Sequence, residues 1–142
     1  MGLARDVTYR DRAIQCSRCG TELVRNTAHD TWQCRKCNAV LTGIGELAHA
    51  LMMVAPHLAG GGHVRDVPMI GRRTAAPPLA CPACGDGMEP VFLGGVELDR
   101  CTRDELVWFD GGELELVLDV AREQDRADDR SWLRRVLDVW LA

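Results

Sequence analysis

The sequence predicts a small α+β fold: two tandem copies of a β-hairpin knuckle, each followed by an α-helix, with an amphipathic helix at the C-terminus. Three observations lead there. Cysteines come in Cys-x-x-Cys pairs at Cys16/Cys19, Cys34/Cys37 and Cys81/Cys84, and a fourth group opens at Cys101 but has Asp104 where its second sulfur would stand. The chain repeats itself around those cysteines. Finally, only 5% of its 142 residues are aromatic, too few for a unit of about 40 residues to stay folded on apolar burial alone, so a metal is expected to staple each copy.

Aligning by cysteine exposes the repeat, "CSRCGTELVRNTAHDTWQCRKCNAVLTGIGEL" (16–47) against "CPACGDGMEPVFLGGVELDRCTRDELVWFDGGEL" (81–114). After the third cysteine of each copy the two run without a gap, and Gly45-Glu46-Leu47 falls where Gly112-Glu113-Leu114 falls. Such self-similarity marks one supersecondary unit used twice.

Each element follows from local grammar. In the first copy, β-prone "ELV" and "TWQC" flank "RNTAHD"; in the second, "MEPVFL" and "VELDRC" flank Gly94-Gly95, a strong hairpin signal. A helix follows at each Gly-Glu-Leu. Asp110 with Glu113 reads as a capping box, and Leu114, Val117, Leu118 and Ala121 make one apolar stripe. Gly43 replaces the capping Asp in the first copy, where Leu47, Leu51 and Val54 form the stripe and Pro56 with "AGGGH" ends it. Residues 59–80 read as a Gly/Pro connector, and Trp132, Val136 and Trp140 give the last segment an apolar face. The expected divisions are therefore 1–58 for the first unit with its helix, 59–80 for the linker, 81–121 for the second unit with its helix, and 122–142 for the C-terminal helix.

Net charge is −4, unevenly placed: +3 over residues 1–44, +1 over 45–80 and −8 over 81–142. The polar start "MGLARDVTYRDRA" has no cleavable-signal pattern, and seven cysteines make an odd count that fits disulfides poorly. A reducing, cytoplasmic location is expected. No apolar run is long enough to span a bilayer, since "LAHALMMVA" is too short and contains His49.

Two Cys-x-x-Cys pairs joined by a hairpin can set four thiolates at the corners of a tetrahedron around one Zn²⁺. Cys16, Cys19, Cys34 and Cys37 are the expected ligands of a first structural zinc. Each knuckle needs a left-handed residue after its second ligand, a conformation that Gly20, Asn38 and Gly85 accept. In the second site Cys81, Cys84 and Cys101 are joined by Asp104, whose role is open at this stage. Its carboxylate is an accepted zinc ligand; alternatively it caps a turn or pairs with Arg100 or Arg103 and the site holds no metal or is depleted, or the fourth position holds water or histidine. Glu105, following it, is not the Gly or Asn found after the other three knuckles. A redox reading of the pairs would require a strand-helix-strand setting, and a deaminase reading a His-x-Glu that His63-Val64-Arg65 does not supply. His29, His49, His57 and His63 are expected to be surface imidazoles.

"CPACG" and "VWFDGGEL" carry a resemblance to the TFIIB-type zinc-ribbon family, close over 81 to about 118 and looser over 16 to about 50, where Leu41 and Gly43 replace the signature Trp and Asp. The resemblance implies a zinc ribbon with a trailing helix and a link to transcription. No paired nucleophile and base, and no phosphate loop, is apparent in the sequence. The expected function is thus a non-enzymatic protein-interaction adaptor, with partner or self-association through Trp132, Val136 and Trp140. The alternative is nucleic-acid binding by a basic patch of Arg18, Arg25, Arg35 and Lys36, with Arg5, Arg10 and Arg12 near in sequence. A zinc-dependent hydrolase with an open second site is a minor alternative. Trp108 is expected in the core, with base stacking as its other possible role.

Overall fold

The computed structural model describes residues 12–26, 29–56, 78–93, 95–126 and 140. Arg5, Arg10, His57, His63, Trp132, Val136 and nearly all of the 59–80 connector lie outside the described residues, as do positions 127–139 of the C-terminal segment.

Among the described residues each copy contributes three named strands and one full helix. The first gives β1 (Val24–Asn26), β2 (Thr31–Gln33), β3 (Val40–Gly43) and α1 (Ile44–Val54). The second gives β4 (Glu89–Leu93), β5 (Val96–Cys101), β6 (Leu106–Phe109) and α2 (Glu113–Arg126). The expected hairpins are β1–β2 and β4–β5, the latter turning through Gly95 at φ 82°. β3 and β6 are additions to the sequence reading, which stopped at two strands per copy.

Those two added strands join the copies. These six strands form one antiparallel sheet in the order β1-β2-β3-β6-β5-β4, with Leu41 opposite Trp108 at its centre and Val40 opposite Phe109. Leu41 and Trp108 stand at the same distance from Cys34 and Cys101 in their respective copies, so this pair lies on a pseudo-twofold axis. Each copy presents the same strand to the other, the arrangement of an isologous dimer interface within a single chain.

The sheet divides the protein into two apolar layers. On one face α1 and α2 pack with Val40, Leu98, Val107 and Phe109; on the other the cysteine knuckles pack with Trp32, Leu41, Leu106 and Trp108. Alternate residues of β3 and β6 serve opposite layers, so every position of both strands is buried. A strand covered on both faces reads as a continuous apolar run without the alternation of a half-exposed strand.

The helices start as their sequences require. Glu113 accepts the Asp110 N–H at 2.8 Å, one arm of the expected capping box, and Val117 and Ala121 are buried beside the partly buried Leu114 and Leu118. At α1, Gly43 makes no side-chain cap hydrogen bond; Leu47 and Leu51 are buried as expected and Val54 partly so. Trp140 requires a correction. It is only 5% exposed, belongs to the helix-side core, and has the Arg100 guanidinium 5.1 Å from its ring centroid. A ring of this size contributes more when buried in its own chain than when left wet, so Trp140 is not a free docking face.

Candidate metal centres

Four tight turns on one face of the sheet carry the candidate metal-binding side chains. In the first turn of each copy a short bridge, Gln15 with Glu22 and Ala80 with Gly87, closes the chain on itself. The Cys16, Cys34 and Cys81 carbonyls accept the N–H groups of Gly20, Asn38 and Gly85 at 2.8–2.9 Å. Gly20, Asn38 and Gly85 all have positive φ, as their sequence positions demanded. Glu105 has it too, at 56°. The fourth turn therefore shares the left-handed residue of the other three despite its residue type.

This turn shape aims backbone N–H groups at sulfur. Cys16 Sγ accepts from the Arg18 and Cys19 amides at 3.4 Å each, and Cys101 Sγ from the Asp104 amide at 3.5 Å. Such donors stabilise thiolate, the form that binds metal. The Cys37 amide, foremost, lowers the Cys34 thiol to about 7, against the opposing effect of burial. Elsewhere the balance is reversed: hydrogen bonding with Cys37 and then burial push Cys19 up to about 12, and burial pushes Cys84 up to about 11. Burial also raises Cys81.

The donor atoms gather into two groups, Cys16/Cys19/Cys34/Cys37 and Cys81/Cys84/Cys101/Asp104, each with all four atoms within 4.8 Å of one another. Sulfurs about 2.3 Å from a tetrahedral Zn²⁺ lie about 3.8 Å apart, and an oxygen at about 2.1 Å lies about 3.6 Å from such a sulfur. In the first group Cys16 is 3.7 Å from both Cys19 and Cys37, and Cys19 is 3.8 Å from Cys34. In the second, Cys84 is 3.6 Å from Cys101, and Asp104 Oδ2 is 3.7 Å from both Cys81 and Cys101. Three edges in each group thus have the length that tetrahedral coordination requires, and the others lie within 4.8 Å. No disulfide competes, for all seven cysteines are free. Arg103 pairs with Asp86 at 3.5 Å and Arg100 lies against Trp140.

Residues 80–120 match the family model for the transcription factor zinc-finger, the TFIIB-type zinc ribbon. The second copy is similar to the TFIIB-type zinc ribbon. The first shares its knuckle geometry and completes a tandem pair, and the protein has two Zn²⁺ sites. Neither the curated proteins nor the solved structures yield a match to this chain.

The ribbons also touch in ways the sequence reading missed. Arg18, inside the first knuckle, donates to both carboxylate oxygens of Asp110 at 3.0 and 3.1 Å, and Asp110 Oδ1 accepts the buried Trp108 Nε1–H at 3.1 Å. Arg12 and Ser17 donate to the Ala83 and Ala80 carbonyls across the copies. A Cβ on Gly111 would stand 2.5 Å from the Cys37 carbonyl oxygen, so the second ribbon's helix start fits against the first ribbon's zinc turn only with glycine there. Its neighbour in the repeat, Gly112-Glu113-Leu114, was visible in the sequence; the need for Gly111 was not, because it comes from the other copy.

The remaining sequence candidates separate clearly. Trp108 is fully buried, which excludes base stacking and leaves the core role. Within the basic patch, Arg18 pairs with Asp110, and Arg25 pairs with Asp30 at 3.4 Å while lying over the Trp32 ring. Arg35 and Lys36 are exposed. His29 is exposed and 3.3 Å from Glu46, and His49 is exposed on α1; neither belongs to a donor group. Among the described residues no helix is long and apolar enough to cross a membrane.

Proposed function

We propose that the chain is a non-enzymatic adaptor in which zinc fixes a rigid double ribbon for protein–protein interaction. In this reading Cys16, Cys19, Cys34 and Cys37 hold one Zn²⁺, and Cys81, Cys84, Cys101 and Asp104 the other. The repeats divide the chain as 1–58, 59–80, 81–121 and 122–142. Free thiols throughout fit a cytoplasmic, reducing setting. The observation that carries the reading is the closure of both donor groups. Four protein donors at tetrahedral spacing satisfy a structural zinc, whereas catalytic zinc keeps a position for water or substrate.

Nucleic-acid binding is the second reading, favoured by the transcription-factor ribbon match and by exposed Arg35 and Lys36 in the second knuckle. Against it, Arg18 and Arg25 already have carboxylate partners and the second copy is strongly acidic. A titration with duplex DNA, single-stranded DNA and RNA at about 50 mM salt distinguishes the two, because phosphate contacts give an affinity that falls steeply as salt rises. The adaptor reading expects no such binding. Salt-sensitive binding lost in Arg35→Glu/Lys36→Glu would replace it with the second reading.

A further inference from the structure

The two helices differ in what holds their first turn. α2 carries its own device: Glu113 accepts the Asp110 N–H, and Asp110 is fixed by Arg18 and Trp108. α1 has Gly43 at the equivalent position and no side-chain cap hydrogen bond. Its first N–H, that of Ile44, is instead taken at 2.9 Å by the Glu105 carbonyl of the other ribbon. Glu105 is the residue after Asp104, held at φ 56° at the end of the fourth knuckle. The helix without a capping side chain thus leans on the knuckle without a second cysteine.

We propose that the Cys101–Glu105 turn is the N-terminal anchor of α1, so that emptying the second zinc site releases α1 from the sheet while the first ribbon and α2 stay in place. The inference rests on Asp104 serving as fourth ligand. A carboxylate oxygen is a harder donor than thiolate and suits Zn²⁺ less than a fourth sulfur. The second site is therefore the first to give up its ion. With the knuckle unpinned, a non-glycine residue has little to keep it in left-handed backbone, and the Glu105 carbonyl moves off the start of α1. Helix N-termini left without an acceptor fray from that end. Release uncovers Ile44, Leu47, Ala48 and Leu51 next to Met52 and Met53, already 53% and 71% exposed. The outcome is an apolar surface whose exposure depends on zinc.

The experiment starts from the zinc-loaded full-length chain. A chelator is added in steps, with zinc per chain counted by native mass spectrometry and amide hydrogen exchange followed by NMR. At one zinc per chain, amides of Ile44–Val54 are expected to exchange at least tenfold faster, while those of Thr31–Gln33 and Glu113–Arg126 keep their protection. Asp104→Cys is expected to keep α1 protected at the chelator strength that frees it in the unaltered chain. A loaded chain holding only one zinc would overturn the ligand assignment, and this inference with it. Two zincs, with α1 still protected once one is gone or with the first ion lost from the four-cysteine site, would overturn the inference and leave the assignment standing. An Asp104→Cys chain that frees α1 at the same chelator strength would count against the inference in the same way.

Discussion

Glu105 and Gly111 show how single residues carry the fit between the ribbons. Left-handed backbone costs an L-residue about 1–2 kcal/mol, part of which glycine returns through its larger unfolded-state entropy. With Glu105 at φ 56°, Glu105→Gly is expected to stabilise the zinc-loaded protein by about 0.5–1 kcal/mol. The midpoint of urea unfolding in excess zinc measures it; an unchanged or lower midpoint would show that the knuckle is not strained. Gly111 has the opposite expectation. Its missing Cβ would lie 2.5 Å from the Cys37 carbonyl oxygen, and backbone stands on both sides of that contact. Gly111→Ala should cost about 1–3 kcal/mol as an overpacking change, seen as a lower melting temperature. Wild-type stability in this variant would mean that the helix start and the zinc turn do not meet as described.

At the scale of elements, the cysteine turns, both hairpins, both helices and the α2 capping box were legible in the sequence, because each is written in a local pattern. β3 and β6 were not. "VLTG" and "LVWF" are short apolar runs without alternation, the signature of strands covered on both sides, and their pairing joins residues as distant as Val40 and Phe109. Asp110 was legible only as a cap; its contacts with Arg18 and Trp108 depend on that same distant pairing. The two contacts have unequal weight. Arg18 and Asp110 are partly exposed, and a surface pair of this kind contributes at most about 1 kcal/mol. The Trp108 indole N–H belongs to a fully buried side chain, and leaving such a donor unpaired costs about 1–3 kcal/mol. Asp110→Ala, which removes both contacts, should therefore destabilise more than Arg18→Ala does, as measured by chemical denaturation of the two variants; equal losses would make the ion pair the main link.

For the whole molecule, one sheet with zinc turns on one side and helices on the other ties folding to metal and metal to pH. Cys19, raised to about 12, and Cys84, raised to about 11, are protonated near neutral pH in the metal-free chain, and zinc must displace those protons. Lowering pH therefore weakens zinc binding, by about tenfold per pH unit for each proton displaced. Competition against a calibrated chelator between about pH 6 and 8 reads this slope, and a flat profile would mean that the thiols are already ionised. Because β3 and β6 join the ribbons through one seam, site losses are expected to be felt beyond the copy that suffers them. The most direct test of the double-ribbon account is the zinc count by native mass spectrometry of the full chain and of Asp104→Ala. The account predicts two ions in the first and one in the second; a single ion in the unaltered chain, or two retained without the carboxylate, would contradict it.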